Sequence, residues 1–336
     1  MSGTVVYVSN ADSGEISVLA LDEARGTLAL RQSVPCGGTV MPLALRPDRR
    51  VLYAAVRNEP WRVLAFAIDA RGGTLTALGE APLAQSMAHI AVDASGRWLF
   101  SASYGGSVIT LNPLAADGRP QPPCWQQPTP PKAHAMRASI NNRFAYAASL
   151  GGDQLLQFAF DAERGALTPL APPAFAGRRG AGARHLAFHP NGRIAWLLNE
   201  LDATLDVLAV DTAGGQLSAL QTVSFLPPGF AGEPWGAELR LTPDARFLYA
   251  SERRSSTLAG FAIDAQGRLA PIGHWPTQTQ PRSFAVTPSG RFLIAAGQLS
   301  NAVGLHAIDA ASGALTLRHE LAVGRNPNWV EAIALA

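Results

Sequence analysis

A short pattern recurs seven times along the chain: an apolar stretch, a few polar residues and a glycine. The glycines stand 45 to 52 residues apart, at Gly26, Gly73, Gly118, Gly165, Gly215, Gly267 and Gly313. Glycine suits such a position because it adopts the positive φ that many tight turns need. Seven equal units in 336 residues have about 48 residues each, a length typical of one four-stranded propeller blade.

A second pattern places a tight turn, an arginine and an alternating apolar stretch in each unit. Its six copies carry Arg50, Arg97, Arg143, Arg193, Arg246 and Arg291. Pro, Asp, Asn and Gly at these turns favour a reversal of the chain, and the alternation after them predicts a strand. Because every unit reuses the arginine, we interpret it as structural, bracing its turn by hydrogen bonds to nearby backbone carbonyls.

The two patterns together predict an all-β fold, a seven-bladed β-propeller with four-stranded antiparallel blades. The missing seventh copy of the arginine pattern is split between the ends of the chain. Thr4 to Ser9 would supply one strand, and Asn328 to Ala334 the inner strand beside it. Sharing one blade between the two ends closes the ring and removes a free sheet edge. Residues 1–336 are therefore expected to form a single domain.

Composition excludes several classes of partner. The net charge is only +2 and Lys132 is the sole lysine, so we expect no nucleic-acid binding. We also expect no membrane contact, because no apolar run approaches the length of a span, about 18 residues. The N-terminal residues show no signal peptide, and Cys36 and Cys124 form no CxxC, so a cytoplasmic location with reduced thiols is expected.

Strand direction separates the two faces of such a propeller. The repeated turns lie on one face, whereas the connections that precede each inner strand and follow each second strand lie on the other. On that second face the repeats differ. They carry His89, His134, Arg184, His185, Arg282, Arg57, Tyr104, Glu200, Arg253 and Gln298, together with Trp235, Glu238 and Trp329. Arginine, histidine and aromatic side chains around one channel predict binding of a small anionic ligand.

Other chemistries find little support in the sequence. There is no Gly-x-Ser-x-Gly, no His-Glu-x-x-His and no cluster with metal-ligand spacing, so we expect neither a cofactor nor a metal. The glycine-rich stretch at 177–182 does not stand between a strand and a helix. We interpret it as a flexible connection, or a basic lip of the site, rather than a phosphate loop. His89 and His185 could equally be structural residues that line the channel or cap a turn. We assign a structural role to four further histidines, His189, His274, His306 and His319.

Several segments resemble the lactonase family of propellers. They are Arg184-His185-Leu186-Ala187-Phe188-His189-Pro190, Asn199-Glu200-Leu201, residues 277–282 and residues 323–330. The family holds bacterial 6-phosphogluconolactonases and fungal carboxy-muconate cyclases, and the chain is closer to the former branch. The resemblance implies hydrolysis of 6-phospho-D-glucono-1,5-lactone in the pentose phosphate pathway. Ala183 departs from the family's usual Gly-Pro before the Arg-His pair, and an Arg- and Pro-rich insertion covers Pro172 to Gly180.

The family's proposed catalytic group is a histidine, two arginines and a glutamate, which fall here on His134, Arg184, Arg282 and Glu200. We assign Glu200 as general base and His134 as the proton donor to the leaving alkoxide, although the reverse assignment also fits. Both arginines would stabilise the oxyanion or anchor anionic groups.

Arg57, Tyr104, His89, His185, Arg253 and Gln298 are assigned to substrate binding. A muconate-type cyclase and a non-catalytic scaffold remain as alternatives. As for assembly, we expect a monomer or a weak homo-oligomer.

Overall fold

The computed structural model describes residues 3–335. Every regular element in that range is a β-strand, and the strands form seven antiparallel sheets of four strands each. The prediction of a seven-bladed propeller with four-stranded blades is confirmed. No helix within residues 3–335 has the length and apolar character needed to cross a membrane.

One sheet joins the two ends of the chain. Its strands are β1 (Thr4–Asn10), β2 (Glu15–Asp22), β3 (Thr27–Pro35) and β28 (Pro327–Ala334), in the order β28-β1-β2-β3. Val8 lies opposite Val330, and Thr4 lies opposite Ala334. The predicted sharing of one blade, here called blade 7, is therefore confirmed, and β1 has a hydrogen-bonded neighbour on both sides.

The other six blades each use four strands that follow one another in the chain. Blade 1 contains β4 (Val40–Leu45), β5 (Val51–Val56), β6 (Arg62–Ile68) and β7 (Leu75–Pro82). Blade 2 contains β8 (His89–Val92), β9 (Trp98–Ser103), β10 (Val108–Pro113) and β11 (Trp125–Pro128). Blade 3 contains β12 (Ala133–Ala138), β13 (Phe144–Ser149), β14 (Gln154–Asp161) and β15 (Ala166–Ala176).

Blades 4 to 6 repeat the same arrangement. Blade 4 contains β16 (Ala183–Phe188), β17 (Ile194–Asn199), β18 (Thr204–Val210) and β19 (Leu217–Ser224). Blade 5 contains β20 (Gly236–Leu241), β21 (Phe247–Glu252), β22 (Thr257–Ile263) and β23 (Leu269–Pro276). Blade 6 contains β24 (Pro281–Val286), β25 (Phe292–Gly297), β26 (Ala302–Ile308) and β27 (Leu315–Ala322).

The chain groups into two compact units. The first comprises Met1–Met41, Ala67–Thr76 and Phe225–Ala336, and the second comprises Pro42–Phe66 and Ala77–Ser224. Blades 5, 6 and 7 lie wholly in the first unit, and blades 2, 3 and 4 lie wholly in the second. The single domain over residues 1–336 stays a prediction.

The seven repeated glycines occupy the turns between third and fourth strands. All seven have a positive φ, between 66° and 90°, which a side chain would make unfavourable. Several of these glycines also accept a hydrogen bond from a tyrosine of the preceding blade. The hydroxyl of Tyr146 donates to the carbonyl of Gly215 at 2.7 Å, and that of Tyr249 to Gly313 at 2.7 Å. Burial raises the pKa of both hydroxyls, so each remains a donor.

Two of the repeated arginines brace a turn of the following blade rather than their own. The guanidinium of Arg97 donates to the carbonyl of Ala162, and that of Arg246 donates to the carbonyl of Ala310. Both carbonyls belong to the turn between third and fourth strands of the following blade. Each of these two arginines therefore links two neighbouring blades within its own unit, Arg97 in the second unit and Arg246 in the first.

The four histidines assigned a structural role lie where the repeats place them. His189 is in the turn after β16, where its Nδ1 accepts the amide of Asn191 at 3.0 Å. His274, His306 and His319 lie on the outer strands β23, β26 and β27. Burial lowers the pKa of His306 to about 4, as expected for a neutral imidazole packed within a sheet.

Candidate active site

Three of the four predicted catalytic residues stand at β-bulges at the start of inner strands. On β12, Ala133 pairs with Ser149 and Ala135 with Ala148, so His134 is the extra residue between them. Arg184 holds the same place on β16, and Arg282 holds it on β24. A bulge leaves one residue without a cross-strand partner and redirects its side chain. The same backbone irregularity therefore presents a histidine and two arginines.

Arg184 and Glu200 form a direct ion pair in the second unit. The Nε of Arg184 donates to Oε2 of Glu200 at 2.7 Å. Arg184 is 1% exposed and Glu200 is 7% exposed. The contact arises because Arg184 is the second residue of β16 while Glu200 directly follows β17, the strand hydrogen-bonded to β16. Removing one member of a buried pair leaves an uncompensated charge, so the two side chains depend on each other.

Three imidazoles form a row in the same unit. The ring centroids of His89 and His185 are 5.4 Å apart, and those of His134 and His185 are 5.0 Å apart, both edge to face. All three side chains are buried, and they come from the inner strands β8, β12 and β16. Because His185 follows Arg184 in the chain, the row and the ion pair share one strand.

Tyr104 extends the row beyond His134. Its ring centroid lies 6.0 Å from that of His134, again edge to face. The ammonium of Lys132 lies 5.6 Å from the centroid of the Tyr104 ring, within the range of a cation–π contact. Lys132 was not among the predicted site residues. Its signal in the sequence was its position two residues before His134, as the only lysine in the chain.

Arg57 lies in the second unit, directly after β5. Its Nε donates to the Oγ of Ser86 at 2.7 Å. The carbonyl of Ser86 accepts the hydroxyl of Ser103, which directly precedes Tyr104. Burial lowers the pKa of Arg57, but an arginine keeps its charge at neutral pH. Thus seven of the ten predicted site residues lie in this unit: Arg57, His89, Tyr104, His134, Arg184, His185 and Glu200.

The other three predicted residues, Arg253, Arg282 and Gln298, lie in the first unit. Arg253 is buried, and its guanidinium donates to the carbonyls of Gly236 and Trp235 while stacking 3.7 Å from the Trp235 ring centroid. These contacts show a structural use of Arg253, and its binding to substrate stays a prediction. Gln298 donates to Asn326 at 2.8 Å.

The first unit also contains a partly buried cluster of charged side chains. Of its members, only Glu238 and Trp329 are among the residues singled out from the sequence. Arg240 lies 3.4 Å from an Oε2 of Glu238 and 3.1 Å from an Oε1 of Glu331. The indole of Trp329 donates to the same oxygen of Glu331 at 3.0 Å. Burial acts to lower the pKa of Arg240, but the two carboxylates outweigh it and raise the pKa. The cluster joins inner strands β20 and β28.

Within residues 3–335, no group of three or more His, Cys, Asp or Glu side chains is arranged to hold a metal ion. A buried guanidinium–carboxylate pair, three imidazoles and a further arginine suit proton transfer and the binding of negative charge.

Comparison with known proteins gives close matches over nearly the whole chain. A family model described as lactonase, seven-bladed β-propeller, matches residues 3–332. A 6-phosphogluconolactonase of Serratia proteamaculans (strain 568) is 40% identical over 331 residues, covering 98% of this chain and 99% of the relative. Another, from Pectobacterium carotovorum subsp. carotovorum (strain PC1), is 40% identical over 332 residues, with the same coverage.

Solved structures agree with these matches. A periplasmic gluconolactonase of Pseudomonas aeruginosa superposes with a TM-score of 0.93 at 27% identity, covering 100% of both chains. A putative 6-phosphogluconolactonase of Bacteroides fragilis NCTC 9343 superposes with a TM-score of 0.90 at 25% identity, covering 98% of both chains. From the family match and the 40% identity, the chain belongs to the lactonase family of seven-bladed β-propellers.

Proposed function

We propose that this chain is a 6-phosphogluconolactonase, which hydrolyses 6-phospho-D-glucono-1,5-lactone to 6-phosphogluconate. The observation that carries the proposal is the buried Arg184–Glu200 pair beside the row of imidazoles, in a chain 40% identical to relatives of that name. The reaction would place the enzyme in the pentose phosphate pathway, as the resemblance implied.

Hydrolysis of a lactone adds water across one ester bond. The water oxygen bonds to the carbonyl carbon, the ring C–O bond breaks, and the ring oxygen leaves as a hydroxyl group. The water must lose a proton, the tetrahedral oxyanion must be stabilised, and the leaving oxygen must gain a proton. Each of these three tasks has a candidate side chain in the described residues.

We propose that Glu200 takes the proton from the attacking water and that His134 donates a proton to the ring oxygen. The Nε of Arg184 fixes the orientation of the Glu200 carboxylate at 2.7 Å, which supports its use as an oriented base. The edge-to-face contacts of His134 with His185 and Tyr104 hold its imidazole in place, which supports its use as an oriented proton donor. The reverse assignment of Glu200 and His134 remains the alternative.

The oxyanion needs preorganised positive charge. Arg184 supplies it in the second unit, where burial lowers the local dielectric and strengthens each electrostatic contact. The resemblance gives Arg282 the same role, and its place at a bulge like that of Arg184 supports the assignment. A planar guanidinium also matches the geometry of carboxylate and phosphate oxygens.

We assign the binding of the substrate's phosphate group to Arg57. Its guanidinium is oriented by Ser86, and it belongs to the same unit as the histidines. A phosphoester carries about two negative charges at neutral pH, and charge-assisted hydrogen bonds to it are strong. Arg253 is a second candidate for binding the phosphate, although its contacts with Gly236 and Trp235 favour a structural contribution.

A second candidate function is hydrolysis of an unphosphorylated gluconolactone. It is favoured by the similarity to the periplasmic gluconolactonase of Pseudomonas aeruginosa at 27% identity. The cyclase and scaffold alternatives receive no comparable support from the relatives named above. We also propose a cytoplasmic location, because Cys36 and Cys124 are not joined by a disulfide, which suits a reducing compartment. Cell fractionation tests that location, and recovery in the periplasm would contradict it.

The proposed function is tested by measuring hydrolysis of 6-phosphogluconolactone above its spontaneous rate. Because the product acid ionises at neutral pH, proton release in a weakly buffered indicator assay follows the reaction. We expect saturable turnover by the wild-type protein, and we expect His134→Gln to reduce it by about 10²–10⁴. A rate that never exceeds the background would contradict the proposal.

A further inference from the structure

The glycine-rich connection between β15 and β16 wraps around one carboxylate. The amide of Gly180 donates to Oδ2 of Asp153 at 2.7 Å, and the amide of Gly182 donates to Oδ1 at 2.8 Å. The amide of Gly177 donates to the backbone carbonyl of Asp153 at 2.8 Å. Asp153 lies in the turn between β13 and β14, directly before Gln154. Both of its carboxylate oxygens are therefore engaged by the connection.

The backbone of the connection is suited to this contact. Gly180 has a φ of 78° and Gly182 a φ of 76°, values at which residues with side chains are strained. A Cβ at Gly182 would also lie 2.6 Å from Cγ of Leu201, closer than real atoms approach. Glycine at 182 is thus required both by its conformation and by its neighbour.

The end of the connection next to β16 is hydrogen-bonded to the backbone at Glu200, a member of the ion pair. The carbonyl of Gly182 accepts the amide of Glu200 at 2.8 Å, and the carbonyl of Ala181 accepts the amide of Leu201 at 2.9 Å. Arg184 follows two residues after Gly182 and stands at the bulge of β16. Residues 180–182 therefore contact Asp153 through the amides of both glycines, and they contact the backbone of residues 200 and 201 through two carbonyls.

This arrangement argues against the other use of a glycine-rich segment, which is to cradle a phosphate. A phosphate at the amides of Gly180 and Gly182 would have to displace the carboxylate of Asp153. Arg178 of the same connection also has partners, since its guanidinium lies 2.8 Å from Asp202. The segment is hydrogen-bonded to Asp153 at Gly177, Gly180 and Gly182, and its flexibility stays a prediction.

We propose that Asp153 is a positioning residue for the lactonase reaction. Its carboxylate holds residues 180–182 in place through two hydrogen bonds, a contact we call the clamp. The held segment in turn positions the backbone of Glu200 and the start of β16, so that Glu200 lies within hydrogen-bond distance of Arg184. The inference rests on the proposed function. It adds to that function a residue that touches neither the substrate nor the reacting atoms.

The test compares two variants at opposite ends of β14. Asp153→Asn keeps the size of the side chain and its tolerance of the positive φ at this position, 50°. It presents an NH₂ group to one of the two amides, so one contact is lost. The control is Asp161→Asn. In the wild type, Oδ1 of Asp161 alone accepts the amides of Glu163 and Arg164. The side-chain oxygen of asparagine can accept both of these hydrogen bonds in its place.

For Asp153→Asn we expect kcat to fall by about 10- to 100-fold with KM within about threefold, because displacement of catalytic groups costs rate rather than binding. Asp161→Asn should keep the wild-type kcat and KM. In a Glu200→Gln background, Asp153→Asn should cause little further loss, since both changes act on one unit. The proposal would be overturned if Asp153→Asn kept the wild-type kcat. It would also be overturned if the loss of kcat in the double variant equalled the product of the losses in the two single variants.

A second measurement needs no variant. Gly229 is an exposed glycine with a φ of 76° in the connection before β20, and it serves as the reference for Gly180. Amide hydrogen exchange should be at least about tenfold slower at Gly180 and Gly182 than at Gly229. Equal rates would overturn the clamp whether or not Asp153→Asn folds. Slow exchange in a protein with no lactonase activity would instead contradict the proposed function alone.

Discussion

At the residue scale, the Arg184–Glu200 pair carries most of the proposed chemistry. The sequence placed both residues on one face of the propeller, because both stand where strands begin or end on that face. It did not show that they touch at 2.7 Å. That contact depends on the bulge at Arg184, and a bulge changes one backbone pairing without leaving a sequence pattern of its own.

Glu200→Gln tests the general base. Glutamine keeps the shape and an oxygen that can accept from Arg184, but it cannot take up a proton. We expect kcat to fall by about 10²–10⁴ with a modest change in KM. The matched control is Glu163→Gln, because Glu163 also meets an arginine at 2.7 Å, Arg97, yet is exposed. Near-normal turnover by Glu200→Gln would move the base to His134 or elsewhere.

Arg57→Ala tests recognition of the phosphate. The phosphate lies far from the reacting carbonyl and does not change in the transition state, so its contacts bind substrate and transition state equally. We therefore expect KM to rise while kcat stays within a few-fold. For Arg253→Ala we expect a higher KM together with a lower melting temperature, because its bonds to Gly236 and Trp235 are also lost. An unchanged KM for Arg57→Ala would remove Arg57 from the binding site.

At the scale of elements, the strands were largely predictable and their irregularities were not. Tight-turn residues and alternating apolar stretches mark where strands such as β5 and β13 begin. The extra residue at His134 leaves that alternation almost intact, so only the register between β12 and β13 reveals it. The role of Asp153 was equally hidden, because its partners are backbone amides more than 25 residues away.

Tyr146→Phe tests the link between blades 3 and 4. Phenylalanine fits the position, since Phe100 is the third residue of β9 as Tyr146 is of β13. The change removes the hydroxyl that donates to Gly215 and leaves a buried carbonyl without it. We expect the free energy of unfolding to fall by about 1–3 kcal/mol, measured by denaturant titration. A stability equal to that of the wild type would show that this hydrogen bond contributes nothing net.

At the scale of the whole molecule, repetition explains why the fold could be predicted from one sequence. Seven spaced glycines and six turn arginines each fall in equivalent turns, and the absent seventh arginine pattern identified the blade shared by both ends. The candidate site was less predictable because it is made of the positions where blades differ. Such positions have no internal repeat to support them, so family resemblance supplied most of the assignment.

Deletion of residues 328–336 tests the closure. It removes most of β28 and leaves β1 with an unpaired edge along Val5, Val6 and Val8, which are buried in the intact protein. Unpaired apolar edges favour association between chains. We expect an aggregating protein with a lowered melting temperature. A truncated chain that stays monomeric and melts like the wild type would show that β28 is dispensable.

The central claim is that the site acts on a phosphorylated lactone. The most direct measurement is kcat/KM for 6-phosphogluconolactone and for unphosphorylated gluconolactone, side by side and corrected for spontaneous hydrolysis. Two charge-assisted hydrogen bonds to the phosphate, at about 1.5–3 kcal/mol each, predict a preference of about 10²–10⁴ for the phosphorylated substrate. Equal efficiency on the two lactones would contradict the account and favour a general sugar lactonase.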